Sequence, residues 1–354
     1  MSQDGSRVKG AEFDARSGFV TTLLKLKHSP TSLAGLGIIA VLVLMAMFSA
    51  IDGFLFNRQI ITWVHADPYA MDQTMRYEGP SREHPFGTDR YGRDIMSRLV
   101  YGSRTALAIG ILAVGISFIG GIIIGAVSAY FGGYVDDGLM RTVEVLYAIP
   151  GLVLAMIFMA IFGPSIYNLF IAYGIVGIPA YARVMRSEVL SLRDRQYVEA
   201  AKLAGLPRRT ILFREIVPNG LAPVVVQGTL SMGTVIIGAA ALSFLGFGVQ
   251  PPTADWGRML ADGRTALLVA WWVALFPGIM IFLTVMGFNM LGDGLRDVMD
   301  PKMTVENVGI DDFDLDDLST EPDHEYGFGE FEDGGRQPAS TDGGSSAPEG
   351  GDRP

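Results

Sequence analysis

Residues 197–218 read YVEAAKLAGLPRRTILFREIVP and form a polar island between long apolar runs. The stretch divides at Gly205. Before it, Tyr197, Ala201 and Ala204 recur at one to two helical turns and share a stripe, whose small residues would let a partner come close. Gly205 is suited to stop this first helix, Pro207 to open a second, and Pro218 to end it. The plain reading of the same residues is a solvated connecting loop, in which Arg195–Glu199 and Glu199–Lys202 are i,i+4 and i,i+3 pairs.

Composition sets the surroundings of that island. Of 354 residues, 49% are hydrophobic and there is no cysteine. Mean hydropathy is +0.34. Charges avoid several windows long enough to cross a bilayer, so the chain reads as polytopic in the membrane, and thiolate metal sites and disulfides are excluded. The net charge of −10 is a local property. From residue 303 onward there are fifteen acidic residues against two arginines, so the rest of the chain is about +3. Five lysines stand beside twenty-two arginines, which with the Asp-rich tail suggests a salt-loving source or GC-rich coding.

In chain order, the polar residues 1–31 carry five Lys/Arg and precede a first span, Ser32 to Ile51, read as an uncleaved helix rather than a signal peptide. Residues 52–103 are polar and mixed in charge. Their core, HPFGTDRYGRD (84–94), has Gly87 and Gly92 bracketing charged residues, as in a loop closed by pairing charges. Further spans are expected at about Thr105–Tyr130, Leu139–Phe162, Ile166–Ala182, Ala222–Phe247 and Ala266–Leu291. The second contains Gly121-x-x-x-Gly125, a close-packing pattern. The third carries Pro150-Gly151, expected as a kink, and a turn at Phe131–Asp137 precedes it. Between Arg183 and Arg214 there are eight Lys/Arg, which puts this region on the cytoplasmic side by the positive-inside rule. Six spans then leave both termini cytoplasmic and 52–103 outside. Residues 302–354 read as a disordered acidic tail.

Three stretches carry a family resemblance. Glu199-Ala200-Ala201, Gly205 and Ile216-Val217-Pro218 resemble the cytoplasmic coupling loop of ABC-importer permeases, with Val217 where that family usually has leucine. GTDRYGRDIMSRLVYGSR (87–104) resembles the segment before the second span in the dipeptide/oligopeptide/nickel group. FGVQPPTADW (247–256) and GDGLRDVMDP (292–301) are similar to the same group, so the resemblance spans about residues 30–301. It implies an all-α permease subunit in four parts: a cytoplasmic segment 1–31, a first helix and external segment 32–103, a transmembrane core 104–301 and the tail 302–354. It also implies a heterodimer with a second permease, two cytoplasmic ATP-binding subunits that carry ATP and magnesium, an extracellular substrate-binding protein, and di- or oligopeptide substrates first, with nickel complexes, sugars and other small solutes left open. Glu199, Ala200, Ala201, Gly205 and Pro218 would form the ATPase docking loop.

The chain's own chemistry is sparse. It has no G-x-x-x-x-G-K-[ST] phosphate loop, no G-x-S-x-G and no H-E-x-x-H, so neither an ATP site nor catalysis is expected, and no nucleic-acid partner. His28, His65, His84 and His324 are far apart in sequence and do not read as a metal cluster. The second, fourth, fifth and sixth spans hold no Asp, Glu, Lys, Arg or His in their interiors, against the habit of ion-coupled carriers. Asn168, Gln227, Ser231, Thr234, Thr284 and Asn289 are the polar candidates for a pathway, each of which could equally be interhelical glue. A carrier without an ATPase partner and a non-transport membrane scaffold are the alternatives.

Overall fold

Backbone amides cannot stay unpaired in hydrocarbon, so apolar runs of this length become helices. The computed structural model describes residues 30–299. The order is α1 (Pro30–Leu55), α2 (Gln59–Val64), α3 (Ile95–Phe131), α4 (Gly133–Ala148), α5 (Gly151–Phe162), α6 (Ile166–Leu192), α7 (Gln196–Leu203), a second limb made of Arg208–Thr210, Ile211–Ile216 and Val217–Asn219, then α8 (Leu221–Phe244), α9 (Trp256–Gly263) and α10 (Trp272–Met299). Among the described residues, strand pairing is limited to one isolated bridge between Thr88 and Asp94. Residues 1–29 and 300–354, with the expected cytoplasmic segment and acidic tail, lie outside the described residues.

Among the described residues five helices are long and apolar enough to cross a membrane, and six spans result if the bent pair α4 and α5 counts as one. That pair corrects the sequence reading. It is not one kinked helix: α4 and α5 meet at 90°. A residue before proline is driven out of the helical region, and Ile149 is extended (φ −88°, ψ 128°), as is Pro150 (φ −52°, ψ 126°). Two extended residues in succession reorient the chain. The turn expected at Phe131–Asp137 shrinks to Gly132 and Gly133, both at positive φ.

Other boundaries shift away from the edges of the apolar runs. The helix of the second span begins ten residues early, because Asp94 caps it by accepting from Ser97 N–H at 2.7 Å. The fourth runs on to Leu192, ten residues past Ala182, through Pro179. The sixth starts at Trp272 rather than Ala266 and continues to Met299. Hydropathy marks where lipid would lie, whereas capping marks where the helix ends.

The centre of the fold is the pairing of α3 with α6. Lipid offers no hydrophobic force to drive helices together, so close backbone approach does that work. A Cβ on Gly121 would stand 2.3 Å from the Tyr181 Cβ, and one on Gly125 would stand 2.3 Å from the Ala182 carbonyl oxygen. The Gly121-x-x-x-Gly125 pattern is therefore the contact itself. An ion pair fastens α4 to the same couple: Asp136 accepts from Arg186 Nε at 2.8 Å, Arg186 Nη2 at 2.6 Å and Ser128 Oγ at 2.9 Å.

Candidate functional site

The loop 197–218 is built as the sequence punctuates it. Helix α7 ends in a Schellman turn: Leu206 N–H donates to the Ala201 carbonyl at 3.2 Å, and Gly205 takes φ +76°. Pro207 stands just before the second limb as its N-cap. Pro218 does not end that limb. Asn219 is still helical and Gly220 follows as the cap. Ahead of Pro218 the segment Ile211–Ile216 widens into a π-helix. Proline has no N–H and its ring crowds the carbonyl four residues back, and a widened turn accommodates both.

The two faces of the loop differ. Val198 and Ala201 on α7 pack with Ile211, Leu212, Ile216 and Val217 of the second limb, and with Ala126, Ala129, Met185 and Val189 of α3 and α6. Burying a valine such as Val198 is worth about 2 kcal/mol outside lipid. Arg193 Nη1 donates to the Ala129 carbonyl at 3.0 Å and ties the approach to the end of α3. The other face is apolar and uncovered: Leu203 is 90% exposed, with Phe213 45%, Leu206 40% and Tyr197 38%. Glu199, Ala200, Ala204 and Gly205 are exposed beside them.

This differs from the stripe expected from sequence. Ala201 faces the chain's own core, and Tyr197 and Ala204 do not share its burial. Among the described residues Glu199 makes no ion pair. Lys202 Nζ points instead to the Arg193 carbonyl, at 3.4 Å.

The pathway candidates separate. Gln227, Ser231 and Thr234 lie on one face of α8 and line a cavity of about 420 Å³ with Ser117, Tyr173 and Tyr181. Gln227 Nε2 donates to Ser231 Oγ at 3.2 Å. Thr234 and Ile237 are exposed, so the cavity opens to the surface. Asn168 is elsewhere: its Nδ2 donates to the carbonyls of Phe162 (2.9 Å) and Gly163 (3.0 Å), closing the turn after α5. Thr284 is likewise used locally, donating to the Met280 carbonyl at 2.7 Å.

At the far end of α3 the charged segment closes by pairing, as its bracketing glycines suggest. Gly87 and Gly92 take φ +73° and +72°. The buried Asp89 accepts from Arg93 Nε at 2.7 Å, and Asp262 of α9 lies 3.3 Å from Arg90 and 3.9 Å from Arg93. Trp272 Nε1 donates to the Thr88 carbonyl and Trp256 Nε1 to the Leu99 carbonyl. Asp52, near the end of α1, accepts from Ile60 and Ile61 N–H and from the Tyr101 hydroxyl. Sequence reasoning missed this use of Asp52. Of the four histidines, His28 and His324 lie outside the described residues, while His65 and His84, far apart in sequence, converge on Asp94.

Known proteins agree with this architecture. Residues 121–305 match the family described as binding-protein-dependent transport system inner membrane component. A dipeptide transport system permease protein of Alkalihalophilus pseudofirmus is 42% identical over 293 residues, covering 82% of this chain and 92% of that protein. A probable D,D-dipeptide transport system permease protein of Escherichia coli K12 is 41% identical over 278 residues, 78% of this chain and 89% of that one. A glutathione transport system permease protein of Pectobacterium atrosepticum is 44% identical over 240 residues, covering 67% and 80%. The chain belongs to the family of binding-protein-dependent transport system inner membrane components, which are transport permeases and not enzymes. It is a multi-pass membrane subunit of an ABC importer, and membership implies, in general terms, ATP-binding partner subunits and a substrate-binding protein.

Proposed function

We propose that this chain is one of two different permease subunits of an importer for di- or oligopeptides, served by two ATP-binding subunits, one of which docks on 197–218. The observation that carries the docking is the split loop: an uncovered apolar face with Leu203 at its tip, on helices whose other face is packed into α3 and α6. Exposed apolar patches of this kind mark interaction sites. Glu199, Ala200, Gly205 and Pro218 lie on the exposed side, and Ala201 and Val198 hold the loop to the body. A push on the loop is passed to α8, because Gly220 alone separates the second limb from Leu221. ATP and magnesium would be held by the partner subunits.

The polar face Gln227, Ser231, Thr234 would line the pathway, and a second permease would close the side on which the cavity opens. The eight Lys/Arg between Arg183 and Arg214 support a cytoplasmic loop, hence cytoplasmic termini and an external 52–103. The four-part division at 31, 103 and 301, with a solvating acidic tail, belongs to the same reading. A peptide substrate is supported by the relatives, which are named for dipeptide, D,D-dipeptide and glutathione transport.

Purification of the full chain in mild detergent, with its companions identified, tests this. A second permease, two ATP-binding subunits and ATP-dependent uptake of labelled dipeptide into proteoliposomes with a binding protein are the expected results. Recovery of the chain alone, active without ATP, would overturn the reading.

A further inference from the structure

Three elements meet over the N-terminus of α3. His65 is the C-cap of α2, His84 lies in the following loop and Asp94 caps α3. His84 Nδ1 is 2.9 Å from Asp94 Oδ1, and His65 Nε2 is 3.1 Å from the same oxygen. All three ligand atoms lie within 4.8 Å of one another. The Asp94 side chain is 1% exposed, with His65 13% and His84 16%.

We propose that His65, His84 and Asp94 form a binding site for a divalent transition-metal cation of the zinc type. Two imidazole nitrogens with one carboxylate oxygen suit that class, and calcium or magnesium would ask for more oxygen ligands. Zinc holds such ligands at about 2.0–2.1 Å, which sets tetrahedral ligand atoms about 3.3 Å apart. The two edges at Asp94, 2.9 and 3.1 Å, need only small adjustments to reach this spacing.

A latch made of two histidines donating to one carboxylate is the competing account, and His65 argues against it. Its Nε2 is buried and has no hydrogen-bond partner, since the 3.1 Å approach to Asp94 lacks hydrogen-bond alignment. A cation between the rings and the carboxylate would satisfy that nitrogen.

The backbone already holds the ligands in place. His65 N–H donates to the Ile61 carbonyl at 2.7 Å. His84 N–H donates to Ser81 Oγ, and the His84 carbonyl accepts from Ser81 N–H and Gly87 N–H. The second Asp94 oxygen is fixed by Ser97 N–H. Three protein ligands leave a fourth position for water or for a donor from another molecule. A bound cation would clamp α2 and the 66–94 segment onto α3, whatever the chain transports.

The test uses the full chain in its complex, carried on a tag without histidine and stripped with chelator. Zinc is titrated in competition with a chelating dye, and bound metal is counted by mass spectrometry. The wild type is expected to retain one equivalent per chain. His65→Ala and His84→Ala should each weaken binding about 100-fold or more, and Asp94→Asn, which keeps the cap on Ser97, should weaken it similarly. Added zinc should raise the thermal midpoint of the wild type only. Equal zinc uptake by the wild type and the His65→Ala/His84→Ala double variant would overturn the proposal. Should the variants fail to assemble, X-ray absorption of the zinc-loaded wild type decides. Two imidazoles in the first shell support the site, and their absence refutes it.

Discussion

At the scale of the residue, burial separates side chains that docking could use from those that hold the loop. Leu203 is almost wholly exposed while Ala201, two positions before it, is buried. Leu203→Asp should therefore leave the chain inserted and stable, yet lower recovery of the ATP-binding subunits in pull-down by about tenfold, the equivalent of ~1.4 kcal/mol. Equal recovery from variant and wild type would count against docking on this face. Ala201→Trp looks like the natural docking probe from sequence alone, but it would overpack the chain's own core at a cost of about 1–3 kcal/mol. Its signature would be a lowered thermal midpoint of the permease itself. Gly205 and Pro207 are legible in the sequence because each has a restricted backbone role. The inward turn of Ala201 is not, since it depends on Val189 and Ile216, neither of which α7 announces.

At the scale of the element, caps and close approaches give two further expectations. Asp255 caps α9, its Oδ1 accepting from Arg258 N–H at 2.8 Å. Burial raises its carboxyl pKa, a shift opposed by that backbone hydrogen bond. A carboxyl whose folded pKa lies above the unfolded one gains stability as pH falls through the folded value, and its charge costs stability above it. Asp255→Asn keeps the cap without the charge. It should match or exceed the wild-type thermal midpoint at neutral pH and lose that acid-side gain, whereas Asp255→Ala should lose about 1 kcal/mol with the cap. A valine at position 125 meets the Ala182 carbonyl, so Gly125→Val should part α3 from α6 and abolish folded yield in detergent chromatography. A monodisperse, full-yield peak would refute the close-approach account. The Gly-x-x-x-Gly pattern makes this contact readable from the sequence. The right angle at Pro150 is not readable there, because hydropathy runs unbroken across it from Val145 to Phe162 while the backbone does not.

At the scale of the molecule, apolar runs convey the number of membrane crossings, and the polar segment between the first two conveys little beyond paired charges. His65, His84 and Asp94 are spread over thirty residues and meet only after 66–94 has folded back on α3. No local period carries such a meeting. The acidic stretch from residue 303 follows from composition alone, and removing 303–354 should leave ATP-dependent uptake within about twofold of wild type, a change of about 0.4 kcal/mol in the barrier. Loss of uptake in an inserted, assembled truncation would assign the tail a recruiting role.

The length of α3 links the two ends of the protein. Its 37 residues span about 55 Å, against about 30 Å of hydrocarbon, so the helix is longer than the crossing requires. One end carries Asp94 with the converging histidines, and at the other the Ala129 carbonyl holds Arg193. For a rod of this size, a tilt of about 5° about its midpoint swings each tip through about 2.4 Å, in opposite directions. An arc that small is comparable to a side-chain contact, so a rigid tilt of α3 would carry a displacement at one tip to the other by geometry alone.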